Sequence, residues 1–134
     1  MPRYLLDTNI CIYVHRKRPD LVLRRFLELK PGEAAISVIT YGELFFGASK
    51  SSKTSEVTEQ LRALAEIVPV LPIPQAAGEK YGQIRAHLEH SGHMIGNNDL
   101  WIAAHALTDR LTLVTNNERE FRRVRGLKIQ NWTV

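Results

Sequence analysis

The chain has 134 residues, 44% hydrophobic and 24% charged, an ordinary globular composition with enough apolar mass for one core. No apolar run approaches the roughly 18 residues of a membrane span, and a single cysteine, Cys11, excludes an internal disulfide or a cysteine-based zinc cluster. The net charge of +4 comes with basic clusters at Arg16-Lys17-Arg18, Arg24-Arg25, Lys50 to Lys53 and Arg119 to Arg125, which suit either a polyanionic partner or a solvated surface.

Arg3 to Leu6 is a short apolar run that predicts a first strand. Asp7 follows before any signal-peptide core could form, so a cytoplasmic location is expected. Asp7-Thr8-Asn9 turns into a helix over Ile10 to Arg16, in which Cys11 is expected as a small buried hydrophobe. Pro19-Asp20 opens a second helix with Leu21, Leu23, Phe26, Leu27 and Leu29 on its apolar side, and Pro31-Gly32 ends it. Ala34 to Ile39 predicts a second strand, and Thr40-Tyr41-Gly42-Glu43 opens a helix through Leu44, Phe45, Phe46 and Ala48. A polar loop over Ser49 to Ser55 leads to a helix over Glu56 to Glu66 and a third strand over Ile67 to Leu71. Gln75 to His90 predicts a long amphipathic helix with Ala76, Tyr81, Ile84 and Leu88 apolar.

Gly96-Asn97-Asn98-Asp99 then leads into the Ala-rich run Leu100 to Leu107, a helix for a core with its polar start facing outward. A fourth strand over Leu111 to Thr115, a short helix around Glu120-Phe121 and an edge strand over Leu127 to Ile129 complete one domain, residues 1–134. Short apolar strands alternating with helices predict an α/β fold. It is a three-layer α/β/α sandwich around a mainly parallel central sheet of four or five strands.

In an open parallel sheet, ligands bind beyond the carboxyl ends of the strands. Asp7 ends the first strand, Glu43 lies just after the second, and Asn116, Asn117 and Glu120 follow the fourth. Asp99 can join them if its helix starts at the same edge. Each acid has a structural explanation. Thr40-x-x-Glu43 and Thr115-x-x-Glu118 are capping-box patterns, Asn117 and Glu120 can pair in the same way, and Asp99 favours a helix dipole. Asp7 fits none of these. Acids gathered on one edge repel, and a divalent cation with oxygen ligands, Mg²⁺ or Mn²⁺, relieves the conflict. Beneath a basic surface, that arrangement suits phosphodiester hydrolysis.

Leu5-Leu6-Asp7-Thr8-Asn9, Thr40 to Leu44, Gly96 to Ala106, and Val114-Thr115-Asn116-Asn117-x-x-Glu120-Phe121 together resemble the PIN domain. More closely, the chain resembles VapC toxins of type II toxin–antitoxin systems. The likeness covers almost the whole chain in order and spacing. It implies a PIN-like fold and a Mg²⁺- or Mn²⁺-dependent endoribonuclease that arrests translation. It also implies a VapB antitoxin partner and a homodimer that joins a larger complex. The family's acidic cluster falls on Asp7, Glu43 and Asp99, with Glu120 favoured over Asn117 as the fourth metal-holding acid. Thr8, Asn9, Thr115, Asn116 and Asn117 are the polar residues expected to hold the acids or water. Three successive apolar residues after Glu43, namely Leu44, Phe45 and Phe46, cannot all face one core, so part of this run is expected in a groove for the antitoxin.

Other features take structural readings. His87, His90 and His93 lie around Gly92, which breaks the helix that would align them on zinc. His105 points away from Asp99 and is expected in a core or interface, and Trp101 and Trp132 are expected to pack. A phosphotransferase of the haloacid-dehalogenase type needs an acid where Asn9 stands. The remaining rival is a non-catalytic module that binds RNA and a partner.

Overall fold

Five strands and seven helices alternate along residues 2–134, the residues described by the computed structural model. They are β1 (Tyr4–Leu6), α1 (Thr8–Arg16), α2 (Asp20–Leu27), β2 (Ala34–Ser37), α3 (Val38–Ser49), α4 (Thr54–Ile67), β3 (Val70–Leu71), α5 (Ala76–Ser91), α6 (Asn97–Thr108), β4 (Thr112–Val114), α7 (Glu118–Phe121) and β5 (Ile129–Gln130). The strand order is β3-β2-β1-β4-β5, and every pairing is parallel. The expected parallel α/β architecture therefore holds, with five strands.

Both faces of the sheet are covered, which is why the strands read as unbroken apolar runs. Tyr4 and Leu6 of β1 and Val114 of β4 enter one core with Ile10, Val14, Val22, Leu44 and Leu61 from α1 to α4. Leu5 and Leu113 enter the other with Leu88, Leu100, Ile102 and Phe121 from α5 to α7. β1 lies at the centre, so its carboxyl end opens in the middle of the sheet edge.

Several boundaries differ from the sequence reading. β2 ends at Ser37, whose hydroxyl accepts the Ile39 N–H at 3.2 Å and caps α3 from Val38 onward. A serine cap outweighs the strand preference of Val38-Ile39, which the sequence predicts as the end of the strand. Ile67 is the last residue of α4 and 62% exposed, so β3 is confined to Val70–Leu71. On α2 the fully buried anchor is Val22, while Leu21 and Leu27 face outward; on α5 it is Ala77 rather than Ala76. β5 lies further along the chain than Leu127, at Ile129–Gln130. None of the described helices is long and apolar enough to cross a membrane.

Candidate active site at the carboxyl edge of the sheet

Asp7 leaves the end of β1 only 6% exposed. Its backbone N–H still donates to the Val114 carbonyl at 2.9 Å, so it remains part of the sheet. Its Oδ1 accepts the Thr8 N–H at 2.7 Å and its Oδ2 accepts the Thr115 hydroxyl at 2.8 Å. Asp7 is thus the N-cap of α1, a role missed because the helix was expected to begin at Ile10. Burial pushes its carboxyl pKa up, against the two hydrogen bonds, and the nearby Glu43 adds to the rise.

Thr8 carries the site across to α3. Its hydroxyl donates to Glu43 Oε1 at 2.7 Å. Because Ser37 caps α3, Glu43 lies in the second turn and Thr40 occupies the third helical position. The capping-box reading of Thr40 and Glu43 therefore fails, and the Thr40 hydroxyl is buried without a partner. Thr115 and Glu118 form no capping box either. Thr115 Oγ1 accepts the Asn117 N–H at 2.9 Å, and Glu118 pairs with Arg122 at 3.0 Å.

Asp99 lies in the first turn of α6, after the N-cap Gly96. A β-carbon at Gly96 would lie 3.4 Å from Asp99 Oδ2, in ordinary contact, so the cap sits directly beside the carboxylate. Burial pushes the Asp99 pKa up to about 6, with further contributions from Asp7, Glu120 and Glu43 in that order. Asp7, Glu43 and Glu120 therefore all lie near enough to act on Asp99. Asn117 donates to Glu120 Oε2 at 3.0 Å. Among the described residues, none of the four carboxylates is ion-paired with a lysine or arginine. Nor is any group of three or more His, Cys, Asp or Glu side chains among them arranged to hold a metal ion. Asp7, Glu43 and Glu120 are each held by separate hydrogen bonds, which keep the carboxylates from closing on one point.

Of the expected supporting residues, Thr8, Thr115 and Asn117 hold Glu43, Asp7 and Glu120 respectively. Asn9 is exposed. Asn116 turns away, with its amide near Tyr13 and its Oδ1 accepting from Asn131 and Thr133. The brace on α6 was not legible in the sequence. Tyr81 stacks on Trp101 at 4.0 Å, donates to Asn97 Oδ1, and accepts from Arg85 at 2.8 Å. His105 is fully buried with Nε2 3.1 Å from Asp109, as expected for a core histidine.

A cavity of about 390 Å³ runs from Thr8 and Glu43 between α1, α3 and α4. Its apolar lining includes Cys11, Ile12, Leu44 and Leu61. Of the run Leu44, Phe45 and Phe46, only Leu44 lines it. Phe45 packs edge-on against Tyr41 at 4.8 Å, and Phe46 is 63% exposed beneath Lys50. The run does split between core and surface, but the groove opens on the side of α3 next to α1.

The Asp99 shift has a sign for stability. An acid whose pKa rises on folding binds its proton more tightly in the native state. Without divalent cations, stability therefore falls as pH rises from about 4 to about 6, and the loss persists above that. Asp99→Asn should raise Tm by about 3–6 °C at neutral pH and leave it nearly unchanged at pH about 4, measured by calorimetry in chelator.

The PIN domain family matches residues 4–127. Ribonuclease VapC2 of Rickettsia felis is 42% identical over 131 residues, which cover 96% of this chain and 97% of its own. The tRNA(fMet)-specific endonuclease VapC of Shigella flexneri is 40% identical over 133 residues, 99% of this chain and 100% of its own. Among solved structures, VapBC2 from Rickettsia felis bound to a DNA fragment from their promoter contains a chain that superposes with a TM-score of 0.89 at 40% identity, covering 96% of this chain and 98% of that one. With matches over nearly its whole length, the chain belongs to the PIN domain family and, within it, to the VapC ribonucleases.

Proposed function

We propose that the chain is a divalent-cation-dependent endoribonuclease that acts in the cytoplasm as the toxin of a VapBC-type pair. The observation that carries the cation requirement is the set of acids with no cationic partner, in which Asp99 is pushed up to about 6 by burial and by Asp7, Glu120 and Glu43. An all-carboxylate donor set fits Mg²⁺ or Mn²⁺. Asp7, Glu43, Asp99 and Glu120 are the residues that would hold it. Such a cation supplies charge stabilisation for the scissile phosphate and makes water more acidic. Thr115 and Thr8 fix the directions of the Asp7 and Glu43 carboxylates, so the donors are oriented before substrate arrives. Asn117 holds Glu120, an arrangement in which the amide supports the fourth acid instead of replacing it. The Arg16–Arg18 and Arg119–Arg125 clusters, which follow β1 and β4, supply contacts to the RNA backbone.

The restraint on such an enzyme is a VapB-like antitoxin. An amphipathic partner helix fits the apolar cavity that starts at Glu43, and a cationic side chain from it could pair with the acids. The relative from Shigella flexneri makes initiator tRNA the first substrate to try. The test is purified protein incubated with tRNA, rRNA and mRNA, with and without Mg²⁺. Endonucleolytic cleavage of at least one RNA, only with the cation, is expected. Binding without cleavage at any cation concentration would make the chain a non-catalytic module.

A further inference from the structure

On the α5 side of the molecule, a second cavity of about 320 Å³ lies between α5 and the segment after α7. We propose that it is a subsite for one nucleotide of the RNA flanking the bond to be cut. The proposal rests on the ribonuclease reading and adds where the substrate is held. Ile84 and Val124 contribute apolar floor, and Gln83, His87, Arg123 and Arg125 contribute polar rim. No carboxylate lines it, and neither Arg123 nor Arg125 is ion-paired among the described residues. An apolar floor beneath unpaired guanidinium groups matches a base with its phosphate, which single-strand-binding proteins hold by apolar contact and charge together. The Gln83 amide can donate to and accept from a base edge.

The cavity is held close to the acids by two connections. The Arg123 side chain donates through Nη1 to the Met94 carbonyl at 2.9 Å, two residues before the cap of α6. Its backbone N–H donates to the Glu120 carbonyl at 3.1 Å. Glu120 and Arg123 are three positions apart, a span of at most about 10 Å. The Arg123 fork is thus oriented by one hydrogen bond, and its other N–H groups can meet a phosphate. Arg16 and Arg18 line a separate cavity with Tyr13, on the α1 side of the sheet. An RNA strand crossing the acid edge therefore meets cationic groups on both sides.

The test uses the full chain in chelator with a short single-stranded RNA of mixed sequence, followed by amide NMR and by anisotropy. Binding should shift signals from residues 83–88 and 123–125. The double variant His87→Gln/Arg125→Gln alters exposed side chains and should keep the wild-type Tm. It should weaken RNA binding about tenfold and lower the salt slope by about one. Arg123→Lys keeps the charge but loses the fork, and should weaken binding as well. With Mg²⁺ present, KM should rise in these variants while kcat stays near wild type. Unchanged binding in both variants, or RNA-induced shifts confined to the neighbourhoods of Asp7, Glu43 and Asp99, would overturn the subsite. So would shifts at 83–88 with an acidic peptide but not with RNA. If the wild-type protein still cleaves RNA in those cases, only the subsite fails; if it cleaves no RNA, the ribonuclease reading fails too.

Discussion

Asp7→Asn and Asp99→Asn are each expected to lower RNA cleavage by at least about a thousandfold at saturating Mg²⁺, the scale of losing a preorganised charge-stabilising group. Neither should unfold the protein. Asn caps a helix about as well as Asp, and its side-chain oxygen can accept one of the two hydrogen bonds that Asp7 accepts from Thr8 and Thr115. Asp99 accepts no side-chain hydrogen bond among the described residues, and its burial beside three other acids already opposes its charge. The same substitutions that remove activity should therefore leave Tm unchanged or raised in chelator. Single-turnover cleavage and calorimetry on one preparation separate the two effects. Full cleavage by either variant at saturating Mg²⁺ would mean that these carboxylates do not hold the cation.

Glu43→Gln is expected to cost about a hundredfold in cleavage with a Tm within about 2 °C of wild type. Glu43 lies inside α3, past the cap at Ser37, so it makes no capping contribution to lose. Gln and Glu have similar helix propensity, and the Gln carbonyl can still accept the Thr8 hydroxyl that now meets Oε1 at 2.7 Å. What disappears is charge alone. A Gln variant with normal cleavage and lowered Tm would assign Glu43 a structural role. Glu43→Asp adds a check, because it keeps the charge but shortens the reach and should retain part of the activity.

The site residues were legible to different degrees, for physical reasons. Asp7 and Asp99 stand out because each interrupts or opens an apolar run, where a carboxylate needs an explanation. Glu43 was placed at the right edge, but beside a capping box that does not exist. The β-branched Val38-Ile39 reads as strand, and only the Ser37 hydroxyl bonded to Ile39 shows that the helix has begun. The Thr8 to Glu43 contact spans 35 residues and the Thr115 to Asp7 contact 108, so no local pattern announces them. The contact of Asn117 with Glu120, three residues on, was open to a local reading, whereas Asn116 faces Asn131, 15 residues away. The apolar cavity was expected from the Leu44 to Phe46 run, yet its lining depends on how α1 meets α3. The parallel sheet was fully legible, because strands buried on both faces leave unbroken apolar runs between helices.

The most direct measurement follows cleavage and thermal stability together during a Mn²⁺ titration of metal-stripped protein. A cation held by Asp7, Glu43, Asp99 and Glu120 stabilises the native state by mass action and enables cleavage through the same binding event. Cleavage should half-saturate at the free Mn²⁺ above which Tm begins its logarithmic climb, and both responses should vanish in Asp99→Asn. Full-rate cleavage by stripped wild-type protein in chelator would contradict the account.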